Sequence, residues 1–264
     1  MALYLRLIGA RVRGQLQYRG AFLANIVGYT LLTGLEFASI WVLLTRFGAV
    51  GGWSLAEVAL LYGLTASANG IAQTVARGFD GPFEKLIMAG GLDTLLVRPA
   101  GAFFQVLASE FSLRTLGRTV QAGAVLVWAI GSLNIEWDLA KIVLVPLTIL
   151  AGTLIYASIA VIGATVTIWT IKTPEVVHIA TSGAQQLVSY PLHIYSEALR
   201  FVFLAIIPVA FSAYPCALWL LERGDPHGLP AALAWAAPLV ALGFGALTLV
   251  FWRVGLARYQ STGT

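Results

Sequence analysis

The apolar positions of this 264-residue chain are grouped in long blocks. A helix needs about 20 mostly apolar residues to cross about 30 Å of hydrocarbon. Six blocks with little or no charge approach or exceed that length, and they predict transmembrane helices over residues 21–45, 56–75, 119–135, 142–171, 201–221 and 229–252. Their apolar residues are continuous, whereas a transmembrane β-barrel has alternating segments of about ten residues. The pattern therefore predicts an all-α polytopic membrane protein, with residues 1–264 forming a single transmembrane domain.

Two segments outside the blocks have an amphipathic or mixed pattern. In residues 1–20, apolar side chains recur at helical spacing beside arginines, which fits a helix lying in the membrane interface or an ordinary basic juxtamembrane segment. Residues 174–200 are long enough to span, but one span added there alone would place the C-terminal arginines on the outer side. We expect them to form a helix at the cytoplasmic face, or an inner extension of the fifth span that is broken at Pro191.

Composition supports membrane insertion. The chain is 59% hydrophobic and 11% charged, and its mean hydropathy is +0.84. Soluble domains have about a quarter of their residues charged. A single cysteine, Cys216, excludes an intramolecular disulfide framework.

The basic residues indicate the orientation, because cytoplasmic loops are enriched in lysine and arginine. With a cytoplasmic N-terminus, the outer side holds three of the sixteen basic residues, Arg46, Lys141 and Arg223. The other thirteen fall on the inner side: Arg6, Arg11, Arg13, Arg19, Arg77, Lys85, Arg98, Arg114, Arg118, Lys172, Arg200, Arg253 and Arg258. Both termini are therefore expected in the cytoplasm. The pI near 9.4 is explained by contact with anionic membrane lipid, without nucleic acid.

Sequence motifs for catalysis, metal binding and nucleotide binding are missing. No glycine precedes a lysine, so the chain has no phosphate-binding loop of the form GxxxxGK. His178, His193 and His227 do not have the spacing of a metal site, and no GxSxG nucleophile motif occurs. We expect no catalytic residue, no metal and no cofactor bound by this chain, so any nucleotide energy must come from another subunit.

Three polar residues inside predicted spans are candidates for a transport path: Glu36 in the first span, and Asn69 and Gln73 in the second. A carboxylate in hydrocarbon costs about 3 kcal/mol on insertion scales, so it is retained where it faces the bundle interior, pairs, or is protonated. Each of the three side chains has two interpretations. One is a polar patch on a transport path, and the other is a hydrogen bond to a neighbouring helix.

The segment between the second and third predicted spans, residues 77–101, has signals for a short structured loop. Pro82 fits the first turn of a helix, Phe83, Leu86 and Ile87 share one face, and the glycines at 90 and 91 favour a C-cap. Arg98 precedes Pro99, which disfavours helix there. The pattern predicts a short amphipathic cytoplasmic helix that docks into a groove of a partner or lies on the lipid surface.

Several stretches together resemble the six-span permease subunits of ABC-2 type transporters. They are GGWSLAEVALLYG at 51–63, IMAGGLDTLLVRPAG at 87–101, YPLHIY at 190–195, IIPVAFSAYPCALWLL at 206–221 and GLARYQSTG at 255–263. The resemblance covers nearly the whole chain, and the phrase from Gly90 to Pro99 is its most specific part.

The resemblance implies a coupling role for the 77–101 loop. Such permeases pair with a second permease, identical or related, and with two copies of a separate ATP-binding cassette subunit, which binds ATP and Mg. In the family, a coupling helix after the second span inserts into a cleft of the ATPase. This assigns contact to Pro82, Phe83, Glu84, Leu86 and Ile87, and it assigns the shaping of the loop to Gly90, Gly91, Asp93, Arg98 and Pro99.

The resemblance also implies an interfacial N-terminal helix and a re-entrant outer hairpin before the last span. The outer loop ERGDPHG is too short for a large hairpin, which would then come from residues 214–219. The expected function is the permease of an ATP-driven exporter in a bacterial inner membrane. The rival hypothesis is an ion-coupled carrier or an intramembrane enzyme that uses Glu36.

Overall fold

A computed structural model describes residues 19–99, 101–110, 115–170 and 174–259, and its regular structure in these ranges is helical. The α-helices are α1 (Arg19–Phe47), α2 (Leu55–Val75), α3 (Gly81–Met88), α4 (Gly91–Leu96), α5 (Ala102–Ser109), α6 (Leu116–Ser132), α7 (Leu139–Thr170), α8 (Pro174–Val188), α9 (Glu197–Phe201), α10 (Tyr214–Leu220) and α11 (Ala237–Ala257). Short 3₁₀ and π turns link several of them, including Arg77–Phe79, Val202–Ile206 and Ala231–Ala236.

Four helices follow the predicted blocks closely: α1, α2, α6 and α7 each begin and end within a few residues of the predicted bounds. By length and composition, three stretches in the described ranges are long and apolar enough to cross a membrane. They are Leu55–Val75, Leu139–Thr170 and Ala231–Ala257. The predicted interfacial helix, residues 1–20, falls almost entirely outside the described residues.

Helix α2 is the central helix, and most of its residues are buried. Its start is fixed by a capping box, in which Ser54 accepts a bond from the Glu57 amide and Glu57 accepts one from the Ser54 amide at 2.6 Å. Gly63 lets α6 approach closely, because a Cβ there would lie 2.7 Å from the Leu126 Cβ. Small residues of this kind allow membrane helices to pack backbone to backbone.

The bundle has two ends, which we name by a buried aromatic residue at each. The Trp53 end holds the loop between α1 and α2, and the Phe83 end holds residues 77–99. The predicted outer loops meet at the Trp53 end, where Arg223 donates to Glu57 at 2.9 Å and Lys141 donates to Glu222 at 2.6 Å.

The prediction that residues 201–221 form one continuous span is wrong. Arg200 lies 3.3 Å from Asp225, and His193 lies 2.9 Å from the Gly51 carbonyl oxygen, so both ends of the 201–221 block are at the Trp53 end. A continuous span would separate its ends by about 30 Å. The chain instead enters through α9, reverses at the breaks near Pro208, and returns through α10.

The segment that connects the two ends is α8, which the sequence predicts either at the cytoplasmic face or as an inner extension of the fifth span broken at Pro191. Its residue Gln185 bonds Asn69 inside the bundle, and the chain then continues to His193 at the Trp53 end. Arg200 therefore lies at the same end of the bundle as Lys141 and Arg223, the end predicted to be outer, and not with the predicted inner group. The physical reason is that Gln185 of α8 is buried and hydrogen-bonded to Asn69 and Arg118, so a polar side chain of this helix has partners inside the bundle.

Candidate coupling loop and polar path

The loop at the Phe83 end contains two short helices joined by a tight turn. A 3₁₀ turn at Arg77–Phe79 leads into α3, which has Pro82 in its first turn. Gly90 has φ of 64°, a left-handed conformation that favours glycine, and it separates α3 from α4. Val97 is the C-cap residue of α4, two residues before Pro99. The sequence signals for starts and stops in this loop agree with its structure.

An aromatic cluster holds the loop against the bundle. Phe83 is 1% exposed, and its ring centroid lies 5.6 Å from that of Trp252 in α11. Phe79 lies 5.3 Å from the same indole, edge to face. Ile87 and Leu92 are also buried in this cluster, which extends to residues of α7. Through these contacts the loop is packed onto both α7 and α11.

Gly78 allows the loop to approach α5. A Cβ on Gly78 would lie 1.9 Å from the carbonyl oxygen of Val106, a distance that backbone atoms do not tolerate. Gln105 of α5 also donates a hydrogen bond to the carbonyl oxygen of Leu95 in α4, at 2.9 Å. No pattern in the sequence distinguishes Gly78, because glycine is common throughout the chain.

The exposed face of the loop differs from the predicted contact face. Phe83 and Ile87 are buried inside this chain, so they are not available to a partner in this conformation. The apolar side chains that stay exposed are Met88 at 59%, Leu96 at 44% and Val97 at 85%. We call these three residues the exposed apolar face.

The other predicted loop residues are intermediate or exposed. Pro82, Glu84, Leu86, Gly91 and Asp93 are partly buried. Arg98 and Pro99 are exposed at the end of α4, and Lys85 is exposed on α3. The exposed apolar face is therefore accompanied by two cationic side chains, Lys85 and Arg98.

Inside the bundle, polar side chains of α2, α6 and α8 meet at one oxygen atom. Asn69 Nδ2 and Arg118 Nη2 both donate to Gln185 Oε1, the latter at 2.7 Å. Asn69 and Gln185 are each 2% exposed. We call these three residues the Gln185 junction.

A second buried polar group lies beside the Gln185 junction. The hydroxyl groups of Thr65 and Tyr156 are 2.6 Å apart, and Ser212 donates to Thr65 at 3.0 Å. These bonds connect α2 to α7 and to the segment before α10. Polar groups inside a membrane bundle need such partners, since hydrocarbon offers none.

Two cavities flank the Gln185 junction. The first, of about 290 Å³, lies between α1, α2 and α8 and is lined by polar side chains that include Ser39, Tyr62, Gln185 and Tyr190. The second, of about 30 Å³, is lined by Asn69, Gln73, Arg77, Asp80, Tyr156 and Thr181 on the side of the Phe83 end. Gln73 therefore lines the second cavity. The backbone of Glu36 lies in α1, and its side chain is outside the described part of the chain.

Comparison with known protein families identifies the family of this chain. A family model described as ABC-2 family transporter protein matches residues 30–263. The chain belongs to the ABC-2 family of transporter proteins. Neither the curated proteins nor the solved structures gave a match.

This ABC-2 chain has a dense polar network at its Trp53 end. Trp53 stacks on Tyr214 with centroids 5.9 Å apart, and the Arg223 guanidinium lies 5.1 Å from the centre of the Trp53 ring. Arg223 also donates to the Gly52 carbonyl oxygen at 2.8 Å and to Glu57. The network joins the start of α2 to the returning arm of the 197–220 hairpin.

Asp225 fixes the end of that hairpin. Its carboxylate has no exposed surface, and it accepts bonds from Tyr214, Arg200 and the amides of His227 and Leu229. Burial alone would raise the pKa of Asp225. The hydrogen bonds and the charge of Arg200 outweigh it, and the pKa is lowered from its ordinary value of 3.8.

Several of these residues were missed by sequence analysis. Gln185 and Arg118 form the Gln185 junction together with Asn69. They lie 116 and about 50 residues from Asn69 along the chain, so local sequence patterns do not connect them. Trp252 was assigned to a span end, without a partner. For residues 174–200, the distribution of basic residues predicts a position at the cytoplasmic face, and that topology argument gave no reason to bring Gln185 next to Asn69.

Proposed function

We propose that this ABC-2 chain is the transmembrane permease subunit of an ATP-driven exporter, in which separate ATP-binding cassette subunits bind ATP and Mg. Membership of the family supports the transport role. The observation that carries the coupling assignment is the loop at residues 77–99, which is anchored on one side and apolar on the other. The chain itself has no catalytic role in this proposal.

The exposed apolar face is the proposed contact with the ATPase. Met88, Leu96 and Val97 project from a loop that the Phe83 cluster holds in place. Apolar anchors on short helices are suited to a groove on a partner protein. Lys85 and Arg98 beside them favour an acidic rim on that groove.

Phe83, Ile87 and Leu92 have a different role in this proposal. They anchor the loop to α7 and α11 through Trp252. When the two ATPase subunits close on ATP, a displacement of the loop is transmitted to these two long helices, because packed interiors transmit strain. The closed ATPase binds one conformation of the permease more tightly than the other. Closure therefore shifts the permease toward that conformation.

A second permease, identical or related, is the proposed partner within the membrane. Ser39 on α1 and Gln186 on α8 are exposed beside the cavity of about 290 Å³. Side chains of this polarity are disfavoured against lipid, so a partner chain or a polar path should cover them. We expect this face of α1 and α8 to meet the second permease.

The proposed topology has six crossings, made by α1, α2, α6, α7, α8 and α11, with a re-entrant hairpin at residues 197–220. The Trp53 end faces outward and the Phe83 end faces the cytoplasm of a bacterial cell. In this arrangement Arg77, Lys85 and Arg98 are cytoplasmic, in agreement with the preference of basic residues for that side.

The test is co-expression with ATP-binding cassette subunits from the same genome, followed by purification through a tag on the permease. We expect an ATPase to co-purify with the parent permease. Val97→Asp should weaken the affinity for the ATPase about 30-fold, which corresponds to a loss of about 2 kcal/mol at the centre of an interface. Val97→Met keeps an apolar side chain and should bind normally. Full binding by Val97→Asp, or loss in Val97→Met as well, would contradict the assignment.

A further inference from the structure

The Gln185 junction separates two cavities that lie within one chain. Asn69 lines the cavity of about 30 Å³, whereas Gln185, its hydrogen-bond partner, lines the cavity of about 290 Å³. Both side chains are almost fully buried. The contact between these two amides is therefore where the two cavities meet.

Two hydrogen-bond donors on different helices hold this contact closed. Asn69 from α2 and Arg118 from α6 donate to the same oxygen of Gln185 on α8. Bonds to a charged donor are stronger than those between neutral groups, so Arg118 holds Gln185 in place. Moving α8 away from α2 by a few ångströms would break both bonds and join the cavities.

The lining on both sides fits a polar passage. The larger cavity carries hydroxyl and amide groups from Ser39, Tyr62, Gln186 and Tyr190. The smaller one leads past Gln73 to the ion pair of Arg77 and Asp80, whose atoms are 2.8 Å apart at the Phe83 end. Polar groups in a membrane bundle mark solute pathways more often than lipid contacts.

We infer that the Gln185 junction is a gate in a polar path that runs through a single chain, between α2 and α8, from the cavity at Ser39 and Tyr190 to the cavity at Gln73 and Asp80. The path suits a solute that carries hydrogen-bonding groups, because most of the residues that line its larger cavity have a hydroxyl or amide side chain. The inference rests on the proposed function, since it names the route by which that permease would pass its solute.

The test introduces Gln73→Cys and measures how fast an anionic, membrane-impermeant methanethiosulfonate reagent labels the new thiol. The natural Cys216 is 1% exposed, so it gives little background. A separate Ala49→Cys protein, exposed at the Trp53 end, reports which side of the membrane that end faces. The reagent is then applied from that side, in intact cells or inverted vesicles as required.

Three variants separate a gate from general loosening. Gln185→Ala removes the shared acceptor and should raise the labelling rate of Gln73→Cys by about tenfold or more, the order expected from losing a bond to a charged donor. Gln185→Glu keeps an acceptor for Asn69 and Arg118, so labelling should stay as slow as in the parent. Ser212→Ala removes two buried bonds, to Thr65 and to the Val209 carbonyl oxygen, whose partners line neither cavity, and it should leave the rate unchanged.

Two outcomes would overturn the gate. One is equal labelling in the parent and in Gln185→Ala, and the other is equal acceleration by Ser212→Ala or Gln185→Glu. The same proteins are assayed for bound ATPase, which keeps the two proposals distinct. Unchanged labelling with bound ATPase rejects the gate alone, and accelerated labelling without bound ATPase rejects the coupling assignment alone.

Discussion

Replacing Phe83 with alanine should release the coupling loop from the bundle. The side chain is 1% exposed and packs against the rings of Phe79 and Trp252, at centroid distances of 6.4 and 5.6 Å. Truncating a buried phenylalanine costs about 3–5 kcal/mol. Since 1.4 kcal/mol corresponds to a factor of ten, local opening of the loop should become at least about 100-fold more frequent.

Tryptic cleavage after Lys85 measures this opening. Lys85 lies within α3, so its peptide bond is cut when the helix unfolds locally, and the rate follows the open population when reclosure is fast. Met88→Ala is the matched control on the same helix, because Met88 is 59% exposed and its loss should change cleavage little. If Phe83→Ala is cleaved no faster than Met88→Ala, the aromatic cluster does not anchor the loop.

Two further substitutions test other parts of the structure. Gly78→Ala places a Cβ 1.9 Å from the Val106 carbonyl oxygen, so it should loosen the loop and raise cleavage after Lys85, and an unchanged rate would refute that close approach. Asp225→Asn should lower thermal stability at pH 7 by about 2 kcal/mol, since it weakens the bonds from Arg200 and Tyr214. Because the pKa of Asp225 is lowered in the folded protein, the parent should keep this stabilisation above pH 3.8 and lose it as the pH falls further. Asp225→Asn should lack that acid-dependent loss. Equal dependence of stability on acid pH in the two proteins would refute the role of the carboxylate.

The regular parts of the fold could be predicted from sequence because their signals are local. Long apolar blocks mark α1, α2, α6 and α7, and Pro82 and Gly90 mark the ends of α3. These signals depend on helix length and on the backbone preferences of proline and glycine. They do not depend on which helices are neighbours.

The segment at 174–221 could not be predicted, because hydropathy is a poor guide for helices that are enclosed by other helices. Gln185 of α8 has partners on α2 and α6, whereas the apolar 201–221 block forms a hairpin at one end. Length, hydropathy and the distribution of basic residues therefore predict one continuous span where the structure has a hairpin.

The candidate site shows the same limit. Amphipathicity identified Phe83 and Ile87 as one face of α3, and that grouping agrees with the structure. Which face meets a partner depended on Trp252, located about 170 residues later in the chain, which covers Phe83. The exposed apolar face is visible in three dimensions and has no signature in the local pattern.

Site-directed cross-linking from Val97 tests the central claim most directly. A photoreactive amino acid at position 97, in the complex formed with the co-expressed ATPase, should give an adduct with the ATPase subunit. The same group at Ala49, at the opposite end of the bundle, should give none. An assembled complex that cross-links from position 49, or that fails to cross-link from position 97 while the protein is otherwise intact, would contradict the proposed coupling through this loop.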